Sequence, residues 1–327
     1  MRNLVNSFPD QLNTALGISK STSLHIGSNE IQNVVINGLG GSGIGGTIVS
    51  QIVADDAKVP VTVNKDYAIP AFVNAHSLVI ICSYSGNTEE TIDAFEKSLT
   101  AGAEIVCISS GGTILSRAKE TNSNYIEIPG GLPPRAAFGL PFVQLLTVFE
   151  QYGLVQRSYV DKISDASNLL VESKDDIIAK AEEVAEQLMN KIPIIYSAAN
   201  YEGVCIRFRQ QINENSKMLC WHNVLPEMNH NELVGWRTEN QDLAVVILKN
   251  DTDFSRTKER MRISKSIYAK YTSTIVEINS LGSNTIENTL SLIHICDWIS
   301  VLLAEKKGID PIEVGVIDHL KSELGKI

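Results

Sequence analysis

The sequence predicts an α/β protein made of two doubly wound parallel sheets in tandem, and three observations predict it. Short apolar runs recur at helix-length separations in the first half: NVVIN (33–37), VPVTVN (59–64), SLVIIC (77–82), EIVCIS (104–109) and YIEIP (125–129). They are apolar on both faces, as strands covered by helices on each side must be. A helical stretch rich in Lys, Glu, Asp and Ala, roughly 151–190, then breaks the alternation, and IPIIYSA (192–198), LAVVILK (243–249) and STIVEIN (273–279) restart it. A chain of 327 residues that is 43% hydrophobic has length and apolar content for about two globular cores. The break is placed near 153, which makes the domains 1–153 and 154–327.

The first strand leads into NGLGGSGIGG (37–46), a length of backbone almost free of side chains. Such a peptide can turn sharply and approach an anion, and the helix that follows aims its free N–H groups and positive dipole end at the same place. Gly40, Gly41 and Ser42 are therefore candidate phosphate ligands. Gly38-Leu39-Gly40-Gly41-Ser42-Gly43 also spells G-x-G-x-x-G, the dinucleotide fingerprint. A nicotinamide enzyme, however, needs an acidic residue at the end of its second strand, and that strand ends in Asn64 and Lys65.

The third strand, SLVIIC, runs into SYSGNTEET (83–91), where Ser83, Ser85 and Thr88 place three hydroxyls at a strand end and a helix start. Hydroxyls and free N–H groups there form a neutral cradle for a phosphomonoester. Helix capping accounts for Asn87 as N-cap and Glu90 at N3 but leaves Ser83 and Ser85 unexplained. In the second half the equivalent of the glycine loop is the bulkier AANYEG, so only the first half is expected to hold a phosphate.

Composition narrows the partners. A net charge of −10 with no basic run argues against nucleic acid and anionic membrane surfaces, so an anionic substrate must be held locally. The opening MRNLVNSFPDQLNTALG has no apolar signal core, and no stretch approaches eighteen uninterrupted apolar residues; a cytoplasmic protein is expected. Five scattered cysteines (82, 107, 205, 220 and 296) and six histidines without HExxH spacing point to neither a disulfide framework nor a metal site. Neither metal nor cofactor is expected.

GLGGSGIGG, SYSGNT, GGLPPRAAFG (130–139), NENSK (213–217), LPEMNHNE (225–232) and DPIEVGVIDHLK (310–321), in this order through both halves, resemble the bifunctional phosphoglucose/phosphomannose isomerases, built from two sugar isomerase (SIS) domains. The resemblance implies flavodoxin-like domains, a sugar 6-phosphate substrate and a metal-free aldose–ketose isomerisation through an enediolate. It implies Glu214 as the base that shuttles the proton between C1 and C2, and Arg135 as the cation beside the enediolate. His230 is implied as the ring-opening acid–base reaching in from the neighbouring subunit of a homodimer, and Lys321 as its assistant. The residue types suit that chemistry: one carboxylate, an imidazole that titrates near neutrality and a fixed guanidinium. The family's tolerance of both C2 epimers goes with a small residue, typically threonine, a few residues before the lysine, but 308–327 contains neither Thr nor Gln; with Val314 or Ile312 at that place the expectation of phosphomannose activity is weaker than that of phosphoglucose activity. Two other readings keep part of the pattern. A non-catalytic SIS sugar-phosphate sensor would retain the cradle without needing Glu214, His230 and Arg135, and an NAD-dependent oxidoreductase would retain the glycine loop without SYSGNT.

Overall fold

A computed structural model describes residues 1–326. The chain opens with helices α1 (Arg2–Asn6) and α2 (Phe8–Ser21). It continues through β1 (Asn33–Asn37), α3 (Gly40–Ile52), β2 (Val61–Asn64), β3 (Ser77–Cys82), α4 (Glu89–Thr100), β4 (Glu104–Ser109), α5 (Gly112–Glu120) and β5 (Asn124–Glu127). Then come α6 (Gly139–Gln151), α7 (Asp161–Glu172), α8 (Lys174–Gln187), β6 (Ile192–Ala198), α9 (Glu202–Ser216) and β7 (Trp221–Leu225). The last elements are β8 (Leu243–Lys249), α10 (Ser255–Tyr268), β9 (Thr274–Asn279), α11 (Thr285–Lys306) and α12 (Gly315–Leu324).

The first sheet has the order β2-β1-β3-β4-β5 and all its pairings are parallel. This is the doubly wound order whose direction of winding reverses between β1 and β3, the place where open α/β sheets bind ligands outside the strands' carboxyl ends. The predicted pattern is explained by position in the sheet. Every residue of β3 is buried, as a central strand requires, whereas edge strands β2 and β5 are only partly covered. Beside β1, β3 and β4 a core of Val35, Val79, Ile81, Phe95, Ile105, Cys107 and Ile114 closes under α4 and α5. Each such fully buried aliphatic side chain is worth about 1.5–3 kcal/mol over its exposed state.

The second sheet runs β7-β6-β8-β9, again parallel throughout. The apolar-run pattern does not predict strand β7. WHNVL mixes polar with apolar residues because it lies at a sheet edge, where one side stays open, so it lacks the apolar run that marks its neighbours.

Contacts divide the chain into two compact units, residues 6–172 with 281–291, and residues 1–5 with 173–280 and 292–327. The division falls at 172/173 rather than near 153, and a packing reason is visible. Helix α7 belongs with α2, burying Ile163, Ala166 and Leu170, and the Ser167 hydroxyl donates to the Pro9 carbonyl at 3.1 Å. Helix α11 is long and apolar enough to cross a membrane, but 94% of its apolar window is buried within the protein, which makes it a core helix. Cys82, Cys107, Cys205 and Cys296 are buried free thiols, with burial pushing Cys82 up to about 12.

Candidate active site

The two predicted phosphate loops meet at the β1/β3 reversal of the first unit. Leu39 is the N-cap of α3, so the first N–H groups of the helix belong to Gly40 and Gly41, while the Ser42 N–H donates back to the Leu39 carbonyl at 3.1 Å. Gly40 takes φ +52°, a left-handed turn that admits glycine readily. At Gly41 a Cβ would come within 2.9 Å of the Pro134 carbonyl, so the bare backbone lets the loop carrying Arg135 close onto the start of α3. The Ser42 hydroxyl, buried, accepts the Tyr84 backbone N–H at 3.1 Å and stitches the first loop to the second.

In the second loop Ser83 donates to the Thr88 hydroxyl at 3.2 Å and accepts from the Gly86 N–H at 3.2 Å. Ser85, exposed, accepts from the Asn87 N–H at 3.3 Å. The expected cap is corrected by one residue: Thr88 occupies the N-cap of α4, and the Asn87 amide oxygen instead accepts the backbone N–H and hydroxyl of Thr113 at 3.0 and 3.1 Å. Asn87 therefore ties the loop to α5, and two helix N-termini with hydroxyls of Ser42, Ser83 and Thr88 stand side by side. Helix N-termini and hydroxyls in such an arrangement have the chemistry to hold an anion.

Arg135 lies in a 3-10 turn, Pro134–Ala136, just ahead of α6, and is 5% exposed. Three residues outside the predicted set hold this region. Gln11 donates to the Ala136 carbonyl at 2.8 Å and accepts the Gly139 N–H at 2.6 Å, clamping both ends of the chain around Arg135. Tyr84 donates its hydroxyl to the Pro129 carbonyl at 3.1 Å and accepts from the Leu132 N–H at 3.0 Å, which fixes the approach to the two prolines. Lys65, at the end of β2, brings its Cε within 3.6 Å of the place a Gly43 Cβ would occupy, so a cation flanks the first turn of α3. Gln11 lies far from any motif; no local pattern in the sequence distinguishes it from an ordinary helix glutamine.

Replacing Gln11 by Leu is expected to leave the buried Gly139 N–H without its acceptor and the Ala136 carbonyl without its donor, at a cost of about 1–3 kcal/mol. Thermal denaturation should register a fall of several degrees, and an unchanged melting point would mean that the turn is held without the clamp.

In the second unit Glu214 lies on α9, Lys321 on α12 and His230 in the turn after β7. On one face of α9, Arg207, Gln211 and Asn215 recur every fourth residue and are buried. Arg207 and Gln211 bond to Asp297 at 2.6 and 2.9 Å, and Asn215 bonds to Ser300 at 2.9 Å. Burial pushes the Asp297 carboxyl up, against the pull of the Arg207 guanidinium. This buried polar face fixes the rotation of α9 and thereby sets the direction of Glu214, one residue round from Asn215. Glu214 is half-buried in a cleft of about 270 Å3, lined also by Asn213, Lys217, Glu313, Val314, Val316 and Ile317. The two flanking asparagines have tasks in the helix end: besides Asn215 on Ser300, Asn213 donates to the Met218 carbonyl at 2.7 Å.

The start of α12, the helix that carries Lys321, thus shares a cleft with Glu214. Lys321 itself is exposed, and its ammonium makes no hydrogen bond or ion pair among the described residues.

PEMNHNE forms two successive 3-10 turns, Glu227–His230 and Glu232–Gly235, after a cis Leu225–Pro226 bond. Nearly every residue of the motif is engaged. Met228 is fully buried among Tyr196, Trp236 and Tyr268. Asn229 donates to Ser264 at 3.0 Å, and Asn231 donates to Glu227 at 2.7 Å. Glu232 accepts from Tyr196 at 2.5 Å and from Asn223 at 2.7 Å. His230 is left exposed, its ring without a hydrogen bond among the described residues. The turn is a rigid mount that points one imidazole outward. No group of three or more His, Cys, Asp or Glu residues that could hold a metal ion occurs among the described residues.

The model of the bacterial phospho-glucose isomerase C-terminal SIS domain matches residues 177–324. The chain is 37% identical to a bifunctional phosphoglucose/phosphomannose isomerase of Caldicellulosiruptor bescii, over 99% of this chain and 98% of that protein. It is 35% identical to the protein of the same name from Aquifex aeolicus, over 90% and 91%. In fold it resembles the C-terminal domain of glucosamine-fructose-6-phosphate aminotransferase from Francisella tularensis, with a TM-score of 0.74 over 94% of this chain and 96% of that one at 14% identity. That sequence distance leaves a likeness of fold, whereas the first two relatives run essentially end to end with this chain. By sequence, by the order of its motifs and by its two parallel sheets, the chain belongs to the bifunctional phosphoglucose/phosphomannose isomerase family.

Proposed function

We propose that this isomerase interconverts glucose 6-phosphate and fructose 6-phosphate by proton transfer through an enediolate, in the cytoplasm, as a homodimer. The observation that carries the reading is the cradle at the β1/β3 reversal. Two helix N-termini, three hydroxyls and the turn carrying Arg135 stand together in one unit, and an anionic sugar is what such a cradle fits. In this reading Gly40, Gly41, Ser42, Ser83, Ser85 and Thr88 hold the phosphate. Arg135, buried and always charged, stabilises the oxyanion that develops as C2 or C1 loses its proton. Glu214 takes that proton and returns it to the neighbouring carbon, so atoms and charge balance without an external redox partner. His230, mounted outward, serves the partner's site in ring opening with Lys321. The apolar Val314 beside Glu214 supports glucose over mannose 6-phosphate, since it keeps volume but supplies no hydroxyl to a C2 epimer.

A coupled assay tests the reading. Fructose 6-phosphate is supplied with EDTA, and glucose 6-phosphate is sought in a separate detection step so that no nicotinamide reaches the enzyme; no product would refute the isomerase assignment for this substrate. Within that assay Ser42→Ala and Thr88→Ala are each expected to raise KM roughly tenfold, the worth of a hydrogen bond to a charged group, with inorganic phosphate competing against the sugar. An unchanged KM in both variants and in the double variant would remove these loops from the site.

A further inference from the structure

The end of α9 carries an anomaly that the proposed chemistry does not use. Lys217, the residue after the last turn, holds φ 53° and ψ 44°, the left-handed conformation in which helix ends favour glycine or asparagine. A lysine there costs backbone strain relative to glycine, so its side chain merits the question of what it holds. Its ammonium donates to the Glu214 carbonyl at 2.5 Å, one of the last-turn carbonyls that no helical N–H can reach. It also donates to the Glu313 carbonyl at 2.5 Å, 96 residues along the chain, with the Glu313 carboxylate 4.0 Å away. Glu313 in turn accepts the N–H of Gly315, the first residue of α12, on its own side chain. One ammonium therefore links the peptide of Glu214 to the residue whose carboxylate accepts the first N–H of the helix bearing Lys321.

The residues of α12 are exposed along its whole length, with Val316 84% and Leu320 58% accessible. The neighbouring lysine shows what plain helix capping looks like: Lys307 donates to the Ser216 carbonyl at 3.0 Å. Lys217 caps in the same way but reaches onward to a second segment.

We propose that Lys217 is a positioning residue, a tether that holds α12, and with it Lys321, in place against the end of α9 that carries Glu214. The catalytic consequence rests on the isomerase reading; the tether itself does not. Two variants separate positioning from mere structural support. Lys217→Gly relieves the left-handed strain and removes the tether, so the melting point should hold or rise while activity falls. Lys217→Met keeps the stem and the strain but loses the ammonium, so activity should fall equally while the melting point drops slightly.

The readouts are kcat and KM for fructose 6-phosphate and hydrogen exchange of the amides of residues 315–324 in the intact protein. Expected in both variants are amide exchange at least tenfold faster across α12 and a kcat about 10- to 100-fold lower, with KM within twofold of wild type because the phosphate cradle is untouched. Unchanged exchange in both variants would overturn the tether, and faster exchange with unchanged kcat would overturn its role in positioning. If the wild-type chain failed to isomerise fructose 6-phosphate, the functional reading would fall, and the exchange comparison would still decide whether Lys217 holds α12.

Discussion

Glu214→Gln should lower kcat by about 10²–10⁴-fold, the usual worth of a positioned general base, while KM stays within a few-fold of wild type. Glutamine preserves the shape of the side chain and its place in the cleft but cannot take a proton. The sharper readout is isotopic: in deuterium oxide the wild-type enzyme should place solvent deuterium at C2 of glucose 6-phosphate, and the variant should not. Competing carboxylates nearby in sequence have other occupations. Glu232 accepts from Tyr196 and Asn223, and Glu227 accepts from Asn231, so both brace the turn that carries His230. Deuterium entering the variant's product at the wild-type rate would show that another group is the base and that Glu214 serves only the helix end.

The second large effect is a recovery. If His230 acts in the partner's site, the Glu214→Gln homodimer and the His230→Ala homodimer are each inactive, since every site in either lacks one group. Co-refolded, about half the dimers pair one chain of each kind, and in each of these one site carries both lesions while the other is whole. Roughly a quarter of wild-type activity should therefore return. The rigid mount of His230 supports the experiment: Met228, Asn229, Asn231 and Glu232 hold the turn without the imidazole, so His230→Ala removes a reactive group without unpinning the loop. Recovery near zero, with mixed dimers demonstrated by mass, would place Glu214 and His230 in the service of one chain's own site.

The sequence by itself determined the two-sheet plan, because a central parallel strand must be apolar on both faces and SLVIIC or LAVVILK admits few other readings. It placed the glycines and hydroxyls at the starts of α3 and α4 as well, since positions without Cβ atoms and hydroxyls beside a helix N-terminus are local features that a short window can display. Tertiary structure decided what depends on partners distant along the chain. Edge strand β7 has no apolar run to announce it, because only its neighbour β6 and its open side explain its mixed character. The unit boundary shifted to 172 because α7 packs on α2, more than a hundred residues away in sequence. The glutamine that clamps the Arg135 turn and the lysine that joins Glu214 to Glu313 are unremarkable in their own windows. Their roles come from hydrogen bonds across 125 and 96 residues, and such partners exist only once the sheets have brought those segments together.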